Sequence, residues 1–191
     1  MKIIGITASP RKEGNTAWVI NKILEGAQEQ GGETESWYFS DLNIKPCLSC
    51  YGCRKDDKGC IINDDMQKLY GTIETADALI LGSPVYMGQM SAQTKIFTDR
   101  LFASKQFSPR FSPHFKETNT TKKKMILVFT QGNPDPGMFQ VYFDYTKNIF
   151  QMLNFDVKEV VVVAGMRSES AHEQKGLQAS MNELGSKLIL E

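Results

Sequence analysis

Short apolar runs alternate with longer amphipathic stretches along the chain, and the two patterns predict different elements. The short runs lack the strict alternation of apolar and polar residues that a half-exposed strand shows, which indicates strands buried on both faces. In the longer stretches, apolar residues recur every three or four positions, as in a helix that packs on one side. Strands are predicted at 2–8, 34–39, 77–83, 125–130 and 157–164.

Helices are predicted between and after these strands. The first begins at Asn15, which is expected to act as its N-cap, and it ends before two consecutive glycines. The next begins after Asp64 and Asp65, and the third begins near Ser91. A fourth covers 139–153, and the last runs from about 170 to 189. Strands that alternate with helices in this way indicate an α/β fold with a parallel sheet covered on both faces.

This pattern predicts a doubly wound, flavodoxin-like domain with the strand order 2-1-3-4-5. In that order, ligands bind at the carboxyl ends of the strands, where the chain changes direction across the sheet between strands 1 and 3. The loops predicted at this edge are 9–16, 83–88 and 131–134. Because strand 2 neighbours strand 1, the segment that follows strand 2 should leave the sheet beside the same crevice.

Composition fits a single domain over residues 1–191, since 41% of the residues are hydrophobic and 23% are charged. Lys plus Arg equals Asp plus Glu at 22 each, so charge gives no reason to expect a nucleic acid or a membrane surface as partner. The first residues lack the pattern of a signal peptide, and the apolar runs are too short to span a bilayer. We therefore expect a cytoplasmic protein. Two inserted loops interrupt the pattern, a cysteine-rich loop at 46–62 and an aromatic loop at 103–121.

All four cysteines lie within fourteen positions of the cysteine-rich loop, with the spacing C-x2-C-x2-C-x6-C. They are Cys47, Cys50, Cys53 and Cys60. The first three thiolates can converge on a cuboidal iron–sulfur cluster, and the fourth can complete its ligand set. A glycine directly before each of the last two cysteines lets the backbone bend closely around such a group. The spacing therefore predicts a 4Fe-4S cluster.

Three other interpretations of these cysteines stay open. A structural zinc site usually draws its ligands from two separated pairs, whereas this loop has a single run. Disulfides are compatible with the even number of cysteines, but they form in oxidising compartments, and rings this small would be strained. Free thiols in a loop that covers a cofactor pocket are the third possibility.

The loop after the first strand combines groups that suit a phosphate. It contains Ser9, Arg11, Asn15 and Thr16, together with the N–H groups of a helix N-terminus. Arginine can bind two phosphate oxygens at once, and a helix N-terminus is electropositive. Neither G-x-x-x-x-G-K-[ST] nor G-x-G-x-x-G is present, which argues against a nucleoside triphosphatase and against a dinucleotide Rossmann site. A polar turn that only caps the helix is the alternative.

The other two loops at this edge favour a flat aromatic ligand. Their candidate residues are Ser83, Pro84, Val85, Tyr86, Gln131 and Gly132. A rigid proline turn with a tyrosine on one side of the crevice, and polar backbone groups on the other, would form a slot suited to an isoalloxazine ring. Tyr86 could equally be a core residue.

Three stretches together resemble the iron–sulfur flavoproteins of archaea and anaerobic bacteria, within the wider NADPH-dependent FMN reductase superfamily. They are GITASPRKEGNT, then PCLSCYGCRKDDKGC followed by INDDM, and then GSPVYMGQMSAQTKIFTDR. The resemblance covers about residues 1–100 and implies a flavodoxin-like fold. It also implies FMN held at its phosphate by Ser9, Arg11, Asn15 and Thr16 and near its ring by Pro84, Val85 and Tyr86, with a 4Fe-4S cluster on Cys47, Cys50, Cys53 and Cys60.

We therefore expect a flavin-dependent oxidoreductase in which a ferredoxin-like donor supplies electrons through the cluster to FMN. The resemblance suggests oxygen species or quinone-like compounds as small acceptors. One alternative is an NAD(P)H-dependent FMN or quinone reductase without a cluster, and another is a flavodoxin-like electron carrier. No side chain is predicted to act as a general acid or base, and His114 and His172 are expected at the surface.

The aromatic loop at 103–121 carries Phe107, Phe111 and Phe115 among Ser, Pro and Lys residues. It is too aromatic for a disordered linker. It is predicted to reach over the flavin of a neighbouring subunit in a homodimer or homotetramer, or to fold back on its own subunit.

Overall fold

The sheet has its parallel strands in the predicted order. The computed structural model of the protein describes residues 1–55, 59–104 and 122–190. In these ranges the strands run β2-β1-β3-β5-β6, all parallel, which confirms the order 2-1-3-4-5 and the α/β fold. The strands are β1 (Lys2–Thr7), β2 (Glu33–Tyr38), β3 (Ala78–Tyr86), β4 (Gln89–Met90), β5 (Lys123–Thr130) and β6 (Phe155–Val163).

Helices cover both faces of this sheet. They are α1 (Asn15–Glu29), α2 (Met66–Thr75), α3 (Ala92–Arg100), α4 (Gln140–Met152) and α5 (Leu177–Leu190). Alternate residues of each central strand point to opposite faces, so that Ile4 and Ile6 pack toward α2, α3 and α4, while Ile3 packs toward α1 and α5. Each large apolar side chain buried in this way contributes about 1.5–3 kcal/mol. The buried apolar runs therefore hold the strand ends, and the loops that follow them, in fixed positions.

Strand β3 is longer than predicted. It was expected to end at Ser83 because proline cannot donate a backbone hydrogen bond, but it continues to Tyr86 and then turns at Met87 and Gly88 into β4. The two turn residues have φ of 50° and 78°, as a two-residue hairpin requires. Pairing with β1 stops at Gly82, so Pro84 does not need to donate a backbone hydrogen bond to β1 and is tolerated there.

Two helix starts also differ from prediction. Helix α1 has Gly14 as its N-cap, and Asn15 is its first helical residue. Helix α5 begins at Leu177 rather than near 170, because Ser170 and Glu173 form a local turn and Gly176 has a φ of 80°. Most of the predicted aromatic loop lies outside the described residues, so its role and the predicted homo-oligomer stay predictions. In the described ranges, no helix has the length and apolar character that crossing a membrane requires.

Helices α1 and α5 pack backbone against backbone. A Cβ added to Gly26 would lie 1.9 Å from the backbone oxygen of Asn182, and one added to Gly185 would lie 1.9 Å from the backbone oxygen of Ile23. Neither obstacle is a flexible side chain. Glycine is therefore required at both positions for the two helices to approach this closely.

Substitution Gly26→Ala is expected to destabilise the protein by about 1–3 kcal/mol, because α5 must move away from α1. Gly71→Ala is the matched control, since Gly71 lies inside α2 with no atom within 4 Å of an added Cβ. That change should stabilise the protein by about 0.5–1 kcal/mol through helix propensity. Urea unfolding of the three proteins measures both effects, and a Gly26→Ala variant as stable as the parent would contradict the close packing.

Candidate functional site

The loop after β1 lies at the carboxyl edge of the sheet and leaves the start of α1 open. The hydroxyl of Ser9 is buried and accepts a hydrogen bond from the backbone N–H of Arg11 at 3.1 Å, which curls the loop. Gly14 provides no side-chain cap, and the first turn of α1 has no acidic residue. The N–H groups of that turn are therefore available to an anion, with the exposed Arg11 beside them.

Asn15 and Thr16 connect this loop to its neighbours. The side-chain oxygen of Asn15 accepts a hydrogen bond from the backbone N–H of Ala171 at 3.0 Å, so it ties α1 to the loop after β6 instead of capping the helix. The predicted N-cap role of Asn15 is thus wrong, and its contact lies 156 residues away in the sequence. Thr16 is buried, and its hydroxyl lies 2.7 Å from the hydroxyl of Thr130 at the end of β5.

The β3–β4 hairpin forms a second side of the crevice. The hydroxyl of Ser83 accepts from the backbone N–H of Ser91 at 2.9 Å and donates to the carbonyl of Pro84 at 3.0 Å. The hydroxyl of Ser91 in turn donates to the carbonyl of Ala8 at 2.6 Å. These bonds fix the hairpin against the end of β1, and they leave Tyr86 43% exposed, as a ligand contact requires and a core residue does not.

Val85 is half-buried and pairs with Met90 across the same hairpin. Together with the buried Pro84, it belongs to the extended part of β3. The four predicted residues of this hairpin therefore lie next to one another at the sheet edge, on a strand rather than on the loop that was predicted.

The loop after β5 contains a buried polar atom without a partner. Gln131 is only 2% exposed, and its amide nitrogen donates to the carbonyl of Asp135 at 2.6 Å. Its side-chain oxygen is buried and has no hydrogen-bond partner within residues 1–55, 59–104 and 122–190. An acceptor of this kind usually has a donor, so a ligand with an N–H group at its edge would satisfy it.

Arg167 is a neighbour of this loop that the sequence did not predict. A Cβ on Gly132 would lie 2.8 Å from Cγ of Arg167, so the arginine side chain lies across the glycine. The loop after β6 is held there because the N–H of Met166 donates to the carbonyl of Gln131 at 3.0 Å. No local motif signals this contact, since it depends on the pairing of β5 with β6.

The four cysteines line one cavity of about 460 Å³ next to α3 and α4. All four are free thiols; Cys47 and Cys50 are exposed, while Cys53 and Cys60 are half-buried. Burial raises the pKa of Cys53, and the positive charge of Arg54 opposes that shift. In the described part of the chain, no three His, Cys, Asp or Glu side chains converge closely enough to hold a metal ion.

The backbone of the cysteine loop nevertheless has features that suit an anionic cluster. Ser49 and Tyr51 have φ of 52° and 54°, and Gly59 has a φ of 77°. Left-handed residues of this kind turn successive N–H groups to one side, as in backbone nests that bind phosphates and iron–sulfur groups. The N–H of Ser49 already donates to the sulfur of Cys47 at 3.5 Å. The four thiols and the backbone N–H groups of the loop therefore fit an iron–sulfur cluster, although the sulfur atoms do not converge on one point.

A buried ion pair fastens both ends of this loop to α3. Arg100 and Asp64 have side chains that are 1% exposed, and two hydrogen bonds of 2.6 and 3.0 Å join them. Arg100 also donates to the carbonyl of Lys45 at 2.7 Å, and the N–H of Lys45 donates to Asp64 at 2.8 Å. Residues on either side of the cysteines are thus bound to each other and to one guanidinium.

Electrostatics at this pair favour the charged forms. Burial raises the pKa of Asp64, but hydrogen bonds from Arg100 and from the backbone of Lys45 and Met66 outweigh burial and hold that pKa below its ordinary value. The N–H of Met66 donates to Asp64 at 3.1 Å, so Asp64 supports the start of α2, while Asp65 is the N-cap residue and makes no side-chain cap bond. The sequence did not predict the partnership with Arg100.

The predicted histidines contribute little to the site. His172 is exposed and lies 3.0 Å from the hydroxyl of Ser170 in the loop after β6, which agrees with the expected surface position. His114 lies outside the described residues.

Comparison with known proteins gives similarity at two levels. The family model of NADPH-dependent FMN reductases matches residues 1–167. An iron–sulfur flavoprotein of Methanocaldococcus jannaschii is 44% identical over 100 residues, which cover 52% of this chain and 51% of that protein. The iron–sulfur flavoprotein of Methanosarcina thermophila is also 44% identical over 100 residues, covering 52% of each. The matched part spans about half the length of these relatives.

Similarity to solved structures extends over the whole fold. The NAD(P)H:quinone oxidoreductase from Methanothermobacter marburgensis superimposes with a TM-score of 0.76 over 98% of this chain and 96% of its own. Its sequence identity is only 16%, so this likeness supports the fold alone.

Replacing Asp64 with Asn is expected to destabilise the protein by about 3 kcal/mol at pH 7, because Arg100 keeps a buried charge without its counter-ion. The control is Asp99→Asn in α3, next to Arg100 in the sequence, where the carboxylate pairs with Lys95 at the surface and little change is expected. Urea unfolding of both variants is the measurement.

The effect of Asp64→Asn should depend on pH. Since the folded pKa of Asp64 lies below its ordinary value of 3.8, its contribution is present above that value and is lost as the pH falls through the folded pKa. The difference in unfolding free energy between parent and variant should therefore shrink in acid. An unchanged difference between neutral and strongly acidic solution would contradict the role of the ion pair.

Proposed function

The chain belongs to the NADPH-dependent FMN reductase family, whose model covers residues 1–167, and we propose that it is a flavin-dependent oxidoreductase with FMN in the crevice at the carboxyl edge of β1, β3 and β5. The observation that carries this proposal is the buried side-chain oxygen of Gln131, which has no partner among the described residues, at the same sheet edge as the uncapped start of α1. One end of the crevice offers donors to a phosphate, and the other offers an acceptor to a ring N–H.

In this proposal the phosphate is bound by the N–H groups of α1 together with Ser9 and Arg11. Asn15 and Thr16 already have partners in Ala171 and Thr130, so they fix the loop and contribute backbone N–H groups. The ring lies between the β3–β4 hairpin, with Pro84–Tyr86, and the loop at Gln131 and Gly132. The hydrogen bonds of Ser83 hold that hairpin still, so it does not need to rearrange when the ring enters.

We also propose a 4Fe-4S cluster on Cys47, Cys50, Cys53 and Cys60. Its support is the shared cavity, the left-handed backbone at Ser49, the N–H bond to the sulfur of Cys47, and the names of the two curated relatives. When bound, FMN supplies two-electron chemistry and a cluster supplies single-electron steps. A ferredoxin-like donor would then dock beside the cysteine loop, and a small oxygen species or quinone-like acceptor would enter the crevice.

One observation favours a second candidate, an NAD(P)H-dependent FMN or quinone reductase without a cluster. The family whose model matches residues 1–167 is named for NADPH-dependent reduction of FMN. In that case the cysteine loop is a wall of the pocket, and a nicotinamide enters the crevice directly.

Metal and flavin analysis of protein purified without oxygen separates the two candidates. About four iron atoms and four sulfides per chain, with flavin reduced by a reduced ferredoxin faster than by NADPH, support the cluster. Bound FMN without iron, reduced rapidly by NADPH, supports the second candidate. Protein that binds no flavin after incubation with FMN would overturn both.

Arg11→Ala is expected to weaken FMN binding by roughly 10–100-fold, because a charge-assisted hydrogen bond to the phosphate is lost. Affinity for riboflavin, which has no phosphate, should stay unchanged. The control is Lys12→Ala at the next position, since Lys12 pairs with Asp41 rather than facing the loop. Fluorescence titration of both ligands is the measurement, and equal losses for FMN and riboflavin would contradict the assignment.

Gln131→Leu, unlike Arg11→Ala, should weaken the binding of riboflavin as well as that of FMN. The variant removes the buried acceptor but leaves the phosphate loop intact, so affinity for FMN and for riboflavin should fall by a similar factor of about 10. The same titration measures it. Loss of FMN binding alone would show that Gln131 acts at the phosphate end.

A further inference from the structure

Arg100 has one donor nitrogen, Nε, that makes no hydrogen bond within the described residues. A guanidinium has five N–H donors. Those on its two terminal nitrogens face Asp64 and the carbonyl of Lys45. The third nitrogen, Nε, is buried, and its N–H has no hydrogen-bond partner in the three described ranges. A buried, charged donor left in this state is costly, so it calls for an acceptor.

The same residue forms part of the wall of the cysteine cavity. Arg100 lines that cavity together with all four cysteines, and Thr98 and Asp99 of α3 line it too. Its guanidinium is held by two bonds to one carboxylate, which fix its orientation. The hydroxyl of Tyr70 donates to the carbonyl of Arg100 at 2.7 Å and fixes the backbone there. The wall of the cavity therefore contains a positively charged guanidinium, that of Arg100, in a fixed orientation.

We propose that Arg100 is a positioning residue whose Nε–H donates to a sulfur of the iron–sulfur group, either an inorganic sulfide or the thiolate of Cys60. This inference rests on the cluster in the proposed function. Thiolates and sulfides are acceptors, and a cluster with four thiolate ligands is anionic, so a fixed cation with a spare donor complements it. The arrangement gives Arg100 two tasks, which are to close the loop at Asp64 and Lys45 and to stabilise added negative charge in the cavity.

The second task has a consequence that a purely structural residue would not produce. Hydrogen bonds to cluster sulfurs and nearby positive charge stabilise the reduced state, which has one more negative charge, and thereby raise the reduction potential. Loss of the Nε–H donor should make the potential more negative even where the fold and the iron content are preserved.

Arg100→Lys is the primary test, because lysine keeps the positive charge and can still reach Asp64 but has no Nε–H in a planar fork. We expect circular dichroism like that of the parent, faster loss of iron to a chelator, and a more negative cluster potential in a spectroscopic redox titration. Lys187→Gln is the control, since it removes an exposed charge that pairs with Glu183 within α5, away from the cysteine cavity, and should change neither quantity.

If Arg100→Lys does not fold, the double variant Asp64→Leu/Arg100→Met replaces it, because an apolar pair of similar volume is often tolerated where a single buried charge is not. A potential and an iron-loss rate equal to those of the parent, in whichever variant folds, would overturn the inference. Failure of the proposed cluster is distinguishable, because it appears in the parent protein itself as an absence of iron and sulfide.

Discussion

The parallel pairing of β1, β3 and β5 is the constraint on which the rest of the fold depends. Each strand is buried on both faces, so a shift of one residue would send Ile4 and Ile6 to the face that Ile3 now occupies. The two faces contain different helices and side chains of different shape, and such a shift would leave voids and clashes. The register is therefore fixed, and with it the height at which every loop leaves the sheet. The crevice exists because three of these loops start from neighbouring strands.

The cysteine loop is positioned by different forces. Its exposed side chains, such as Leu48 and Ile61, add little to the core, so hydrophobic burial does not determine its path. The loop is held instead at its ends, by Asp64, Arg100 and the backbone of Lys45. A buried ion pair contributes little net stability, because desolvation offsets most of the attraction. The ion pair matters more for geometry, because two parallel hydrogen bonds between planar groups hold the loop in one conformation. A loop that is already ordered loses less conformational entropy when a group binds to it.

The sequence predicted those features of the fold that depend on local patterns of apolar and polar residues. Apolar runs located the five parallel strands, and the flavodoxin-like strand order placed Ser9, Pro84 and Gln131 at one edge. The extension of β3 past Pro84 was missed because a proline usually ends a strand, and only the absence of a β1 partner beyond Gly82 makes it tolerable there. The fold could therefore be predicted closely, except where pairing at one strand edge overrides a local signal.

The parts of the site that were missed depend on long-range partners. An arginine at the end of a helix is usually exposed, and the burial of Arg100 follows from a carboxylate 36 positions earlier in the chain. The contact of Asn15 with Ala171 spans 156 positions. Charge burial of this kind leaves no periodic pattern, because each case needs one specific partner. The four cysteines were identified by spacing, but spacing does not reveal what fixes the loop that contains them.

The candidate site is built from two parts of the sequence, one within residues 1–100 and one beyond them. The loop after β1, the cysteine loop, the β3–β4 hairpin and Arg100 all lie within residues 1–100, where the resemblance to iron–sulfur flavoproteins is strong. Gln131, Gly132 and Arg167 lie beyond it and complete the crevice from the other side. A cofactor-binding frame needs the same contacts for every acceptor, whereas the wall opposite the ring determines what can approach it. In the proposed function, the loops after β5 and β6 therefore determine which small acceptor can approach the flavin.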